Sequence, residues 1–487
     1  MNTTKSPADT GFFGHPNAYF DRQTFSSFCP IPAFQALKGR PGGSRYFLTG
    51  VFGCGKTAIL AQIRDSAPKN SLIWELNDYK PPENQIDYTR LTRTTGALAN
   101  VTVNLLLWEL ANLLLRQKEE FTKEGLGKLK ELFPSVAARF GKNLLRATSV
   151  QDPLGILELD FGKVFEDKGA SVSRTLPLDQ WKEALAPSLN QIPAYILLDD
   201  VETIFPGTQD IPEAADGLLY AVEILNETFG AKLTCLTTLQ YATFLLLEQK
   251  SKRFEKMIPR VEKIVWTAKE LQALLANRVT EKLKLTAGNI NPLRQVFDTK
   301  SDDELDQLIY YGISFCINGP RDLIALCNSA YDAANGSKIN RSHFDLVLPD
   351  FGNLKLGSIG REFNDRYKDI RAFIEHFFSK QTSVWEPRLL EAKMNEWLPE
   401  AREIFGKHPW LISASRQVIG ILYEIGFLGF RATTSAPAVY ALSDPFAHRR
   451  PTFYASSYYV VHPSFRQILG MDAASPPPSP QRKSKRT

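Results

Sequence analysis

One run of eight residues limits what this chain can fold into more than any other. Gly50-Val-Phe-Gly-Cys-Gly-Lys-Thr57 follows the apolar stretch Arg45-Tyr-Phe-Leu-Thr49 and leads directly into the helical pattern Ala58-Ile-Leu-Ala-Gln-Ile63. A strand that becomes a helix across Gly50, Gly53 and Gly55 can bend until successive N–H groups face one point, in front of the positive end of the helix dipole. Such a cradle suits a phosphate. The spacing Gly50-x4-Gly55-Lys56-Thr57 matches the Walker A pattern GxxxxGK[ST], with a strand before it and a helix after it. On this reading the backbone from Gly50 through Gly53, Cys54 and Gly55 to Ala58 lines the phosphates, Lys56 reaches the β/γ oxygens and Thr57 holds Mg²⁺. A glycine-rich turn with a chance Lys-Thr is the alternative, and the flanking strand and helix argue against it.

Further apolar strands are expected at Ser71–Leu76, Ala194–Asp199, Lys232–Thr237 and Glu262–Trp266, alternating with helical patterns at Ala97–Arg116, Glu213–Thr228 and Tyr241–Gln249. Alternation of this kind predicts a mainly parallel sheet covered on both faces. The strand Ala194-Tyr-Ile-Leu-Leu-Asp-Asp200 ends in two carboxylates, where a parallel sheet also puts the phosphate loop. That is a Walker B layout: Asp199 as the Mg²⁺ carboxylate, Asp200 or Glu202 as the group that orients and deprotonates water. Acidic caps of the next helix are the alternative.

The expected domains are a core over 1–266 with a helical insertion at about 117–193, a helical lid over 267–341, a winged-helix-like region over 342–470 and a disordered basic tail over 471–487. In the last of these regions helices are expected at Ser358–Ser379, Pro387–Glu400 and Ser413–Ile425, followed by Gly426–Phe430 and a Tyr-rich strand Thr452–Val461. Gly319-Pro-Arg-Asp-Leu323 opens a helix that puts Arg321 in its first turn, where an arginine either reaches a γ-phosphate or stays in solvent. Thr238 and Gln240, after the fourth strand, read as turn-forming polar residues more readily than as phosphate sensors. Arg253 and Arg260 read as solvated charges rather than arginine fingers. Thr299-Lys-Ser-Asp302 imitates a guanine-reading motif, yet Ser301 and Glu304 make a better capping box. Cys54 beside helix-terminal N–H groups is either a small residue that fits the loop or a redox-sensitive thiol.

Composition excludes more than it selects. The five cysteines form no CxxC pair and the six histidines lie far from them, which disfavours a zinc site or a disulfide scaffold. The most apolar run, Val101–Leu115, is interrupted by Asn104, Glu109 and Asn112, and the N-terminus lacks a signal-peptide layout, so a cytoplasmic protein with no membrane segment is expected. The formal charge of +5 is concentrated in the tail, where Arg482, Lys483, Lys485 and Arg486 face the single acid Asp472. The nearly neutral body gives little support to binding nucleic acid through a general basic surface.

Phe13-Gly-His-Pro-Asn-Ala18, Gly50–Thr57, Leu197–Val201, Ile264-Val-Trp266, Gly319–Leu323, Tyr423–Phe430 and Val461-His-Pro-Ser-Phe465 together resemble the bacterial P-loop ATPases related to the AAA+ and STAND NTPases. More narrowly the chain is similar to stand-alone bacterial ATPases with a helical lid and a winged-helix-like end. The resemblance implies an additional-strand sheet, with one strand between those of Walker A and Walker B, Arg321 in the sensor-2 position, and ATP as ligand. A more distant likeness to a GTP-binding mitoribosomal protein leaves GTP open. Thr237-Thr-Leu-Gln240 departs from the arginine or asparagine usual after the fourth strand, so slow or altered turnover is implied. The function expected is an ATP-hydrolysing switch in signalling or anti-phage defence, with a protein partner or self-association. The alternatives are a nucleic-acid-binding ATPase that grips through Arg449, Arg450 and the tail, and a nucleotide-binding subunit without turnover.

Overall fold

The computed structural model describes residues 11–18, 21, 27–38, 45–76, 95–116, 177–200, 211–285, 291–317, 319–364, 366–433, 436–444 and 446–471. The expected tail beyond Met471, most of the expected insertion (117–176) and Glu202 lie outside these residues.

By its contacts the chain divides into two compact units. The first, Pro30–Val51 with Lys56–Ile264, is built on a five-stranded parallel sheet of order β2-β3-β4-β1-β5. Its strands are β1 (Phe47–Gly50), β2 (Leu72–Leu76), β3 (Ala194–Leu198), β4 (Leu233–Gln240) and β5 (Val261–Lys263). β1 is buried throughout, and β4 is buried from Leu233 to Leu239, as parallel strands covered on both faces must be. Their unbroken apolar character follows from that position. β4 lies between β1 and β3, pairing Phe47 with Thr237 and Leu198 with the same residue, so the carboxyl ends of all three strands meet at one edge. This is the additional-strand P-loop NTPase fold, with the glycine loop after β1 and the paired acids after β3.

The helix Thr95–Arg116 packs on Ile211–Phe229, and Asn104, one of the polar residues that interrupt its apolar run, makes a hydrogen bond inside the unit. Asn104 Oδ1 accepts from Trp181 Nε1 at 2.9 Å, and Trp181 is fully buried on the helix Leu178–Leu189, the described part of the expected insertion. Asn226 ties Ile211–Phe229 to β4 by donating to Cys235 O at 2.7 Å and accepting from Cys235 N at 3.0 Å. Among the described residues no helix is long and apolar enough to cross a membrane.

The second unit, Met1–Cys29 with Phe52–Gly55 and Val265–Thr487, holds the helices Ala268–Leu283, Asp302–Ile313, Pro320–Ala334 and Arg341–Phe363. Thr267 and Glu270 form a reciprocal capping box on the first, and Ser301 accepts from Glu304 N on the second, so Thr299–Asp302 is a helix start. Beyond them a small α+β region runs helix Ile370–Phe378, β6 (Val384–Trp385), helix Pro387–Phe405, helix Ser415–Glu424, β7 (Leu428–Arg431) and β8 (Tyr458–Val461), with an antiparallel sheet of order β6-β8-β7.

Three expectations change. The core does not begin at residue 1, because the N-terminal segment is bonded into the other unit: Arg278 donates to Phe13 O and to Asp21 at 2.6 Å each, and Asn328 donates to Gly14 O while accepting from Phe13 N. The helix expected over Ser358–Ser379 is two, Arg341–Phe363 and Ile370–Phe378, separated at Asp369, whose φ of 62° is left-handed. The first of them starts early, capped by Asn340, and runs through Pro349 and Gly352; a Cβ on Gly352 would sit 2.3 Å from Ser464 O, so glycine there allows the close packing. The strand expected over Thr452–Val461 is a helical turn, Pro451–Tyr454, and then β8.

Candidate functional site

The loop after β1 turns through two residues of positive φ, Gly53 at 78° and Gly55 at 100°, a backbone that a side chain would strain. Lys56 then begins the helix Lys56–Ser66. Its side chain is buried, and Nζ donates to Gly50 O at 3.1 Å and to Val51 O at 3.4 Å, so the ammonium is folded back over the loop that the Walker A pattern assigns to phosphate.

One residue on, Thr57 Oγ1 donates to Asp199 Oδ2 at 2.6 Å. Asp199 follows β3 and is 3% exposed, and its other oxygen accepts from Thr238 Oγ1 at 2.5 Å. Thr238 belongs to β4, the strand between the two motif strands, and is fully buried. The next backbone N–H, that of Asp200, donates to Thr238 Oγ1 at 2.8 Å and to Asp199 Oδ1 at 3.1 Å. Asp200 has φ 46°, a left-handed turn that an aspartate tolerates, and it ends the extended run of β3. The structure therefore brings together Gly50, Lys56, Thr57, Ala58, Asp199 and Asp200 at the carboxyl edge of the sheet, the usual ligand position in an open α/β fold.

A hydroxyl and a carboxylate oxygen in contact are two hard donors, the set that suits Mg²⁺, which keeps several waters and takes its remaining ligands from a nucleotide. Among the described residues no group of three or more His, Cys, Asp or Glu side chains is arranged to hold a metal. A single carboxylate with a threonine is compatible with that, since a metal held this way does not need a dedicated cage.

The tip of the loop belongs to the second unit, and there it meets Arg321. The backbone N–H of Arg321 points to Gly53 O at 3.4 Å, its guanidinium carbon lies 4.3 Å from the centre of the Phe52 ring, and its Nε donates to Pro16 O at 3.3 Å. The turn before it is fixed by its neighbour, because Asp322 accepts from Ile317 N at 2.9 Å and from Lys355 Nζ at 2.6 Å, both side chains being buried. Trp266, just beyond β5, donates from Nε1 to Cys54 O at 2.8 Å. Cys54 itself is 1% exposed, which leaves its thiol enclosed in the loop rather than open to oxidants.

Other candidates are engaged elsewhere. Arg253 lies 3.2 Å over the Tyr220 ring and pairs with Glu223 at 2.5 Å, and Arg260 pairs with Glu227 at 3.0 Å. Thr238, expected as a turn residue after the fourth strand, lies instead buried inside β4, and the residues that pattern reading passed over are Phe52 and the Asp322–Lys355 pair. A signal existed for Thr238: two adjacent threonines in an otherwise apolar buried strand must each find a partner for a hydroxyl. No sequence signal connects Lys355 with Asp322.

No family model matches the chain, and no curated protein does. Among solved structures it is similar to the ORC2 protein of Aeropyrum pernix, described as ADPNP–ADP complexes, with 12% identity and a TM-score of 0.39, covering 92% of this chain and 96% of that one. It is also similar to Cdc6p of Pyrobaculum aerophilum, with 12% identity and a TM-score of 0.33, covering 92% and 98%.

Proposed function

We propose that this chain binds ATP with Mg²⁺ at the carboxyl ends of β1, β3 and β4 and hydrolyses it slowly, as a nucleotide-driven switch of the AAA+ kind. The observation that carries the reading is the contact of Thr57 Oγ1 with Asp199 Oδ2 at 2.6 Å, next to a buried Lys56 whose ammonium donates to the Gly50 and Val51 carbonyl oxygens of the loop. The metal supplies charge neutralisation of the phosphates and polarisation of the transferred group. Thr57 and Asp199 provide its protein oxygens, Asp199 directly or through water. Lys56 can leave the Gly50 and Val51 carbonyls for β/γ oxygens, which form stronger, charge-assisted bonds. Asp200 holds and deprotonates the attacking water, with Glu202 the substitute two positions along. Thr238 orients Asp199 through its hydroxyl, a neutral group where an arginine or asparagine is usual, which fits slow turnover.

Arg321 couples nucleotide state to the helices beyond residue 267, because its backbone and guanidinium both contact the loop tip at Phe52 and Gly53. A contact made with ATP and not with ADP is what shifts a conformational equilibrium. A signalling or defence role follows from the bacterial-ATPase resemblance alone, and a protein partner or self-association would receive the signal. The nucleic-acid alternative is less favoured: Arg450, one of its two body arginines, already donates to both oxygens of Asp444 at 2.5 and 2.7 Å.

Asp200→Asn tests the hydrolytic reading. ATP affinity should stay within about threefold while turnover falls by roughly a hundredfold or more, the range expected for loss of a general base. Unchanged turnover in Asp200→Asn with loss in Glu202→Gln would move the role to Glu202, and no turnover in wild type would leave a nucleotide-binding subunit.

A further inference from the structure

Within the second unit, Trp266 and Leu271, the end of helix Asp302–Ile313 and the β7–β8 region line a partly open cavity of about 170 Å³. Trp266, Ile313 and Leu442 give it apolar walls, and Arg431 and Arg466 line it with no aspartate or glutamate among the described lining residues. Arg466 is 8% exposed; its Nε donates to Val461 O at 2.9 Å and its side chain is also hydrogen-bonded to Tyr440. Arg431 Nε is buried and has no hydrogen-bond partner. His462, also lining the cavity, has its pKa pushed down to about 3 by burial first and then by Arg466 and Lys355, so it is neutral and brings no balancing charge.

Two cations facing an apolar cavity without a carboxylate are a costly arrangement, and so is an orphaned buried donor. Burial, and after it the charge of Arg431, lowers the Arg466 pKa even though the tyrosine works the other way. An anion would relieve the unbalanced charge. A guanidinium edge takes a carboxylate by two parallel N–H···O bonds. Size sets the rest of the ligand, because a dry cavity of about 150 Å³ accommodates a benzene ring. We propose that this cavity binds a small carboxylate with a compact apolar body the size of one aromatic ring, its anion held by Arg431 and Arg466. Trp266 would be in contact with both ligand and loop, since the same indole donates to Cys54 O.

The full chain is titrated with benzoate, followed by ligand-observed NMR, beside benzamide as the neutral isostere, acetate as the anion without a body and inorganic phosphate as a bare polyanion. Benzoate should bind and the other three should bind at least about tenfold more weakly, a difference of about 1.4 kcal/mol. Arg431→Gln removes no side-chain hydrogen bond seen in the structure and so should stay folded; Ala438→Phe fills the space from a lining position. Each should weaken benzoate by about tenfold or more. The proposal is overturned if folded wild-type chain does not bind benzoate, if benzamide, acetate or phosphate binds as well, or if both variants retain wild-type affinity.

Discussion

The edge of the parallel sheet and the interior of the second unit both bury carboxylates, and they treat them differently. Asp322 and Glu424 are neutralised by cations at close range: Lys355 Nζ lies 2.6 Å from Asp322, and Arg366 lies 2.7 Å from Glu424, which also accepts from Tyr367 at 3.0 Å. Asp199 is as deeply buried and is held by the hydroxyls of Thr57 and Thr238. A cation fixed against a carboxylate uses up its charge, whereas a hydroxyl donor does not cancel it. On the proposed reading, carboxylates thus build structure in one region and serve a binding site in the other. Even a nearby cation does not settle the matter, since burial raises the Glu424 pKa more than Arg366 lowers it.

The comparison breaks first at Lys355. Lys355→Ala removes the cation that faces the buried Asp322 carboxylate beside the start of the Arg321 helix, and stability measured by denaturant unfolding should fall by about 3–5 kcal/mol. A loss below about 1 kcal/mol would mean that the pair is not structural. Asp199→Asn should do the reverse, changing stability little while Mg²⁺-dependent turnover drops on the order of a hundredfold, the scale of losing metal charge stabilisation. If the asparagine variant unfolds readily but still turns over, the two regions are not distinct in the way described.

A smaller effect is expected at Arg321. Arg321→Ala should reduce the preference for ATP over ADP by roughly tenfold, one charge-assisted contact, with ADP affinity nearly unchanged. Equal loss for both nucleotides would make Arg321 a support for the loop tip and not a sensor. The smallest is a slope. Between the unfolded His462 pKa of 6.5 and the folded value of about 3, the unfolded chain binds a proton that the folded chain does not, so stability falls as pH drops through that window. One proton gives at most about 1.4 kcal/mol per pH unit. Glu424 acts in the opposite sense, its contribution being present below pH 4.5 and lost as pH rises through its raised folded pKa. The difference between wild type and His462→Gln isolates the histidine; parallel pH profiles for the two would contradict its burial as a neutral ring.

The glycine loop between β1 and its helix, and the acids at the end of β3, were legible because their pattern is local: glycines, a lysine and a threonine at fixed spacing between a strand and a helix. The position of β4 between β1 and β3 came with the family resemblance, since apolar runs carry no strand order. What stayed hidden depends on distant partners. Phe13 and Asp21 join the second unit through Arg278, more than 250 residues away in sequence. Gly352 looks like a helix breaker until Ser464 is seen packed against it. Arg431 and Arg466 lie 35 residues apart, one at the end of β7 and one in a short helix, and share a cavity only once the sheet has formed.

The central claim is that Lys56, Thr57 and Asp199 form a nucleotide–metal site, and a calorimetric titration of ATP with and without Mg²⁺ tests it most directly. Wild-type chain should bind ATP more tightly with Mg²⁺ present, Thr57→Ala should lose that metal dependence, and Lys56→Ala should weaken ATP by roughly ten- to a hundredfold while remaining folded. Binding of equal strength in wild type and Lys56→Ala, indifferent to Mg²⁺ in both, would contradict the site.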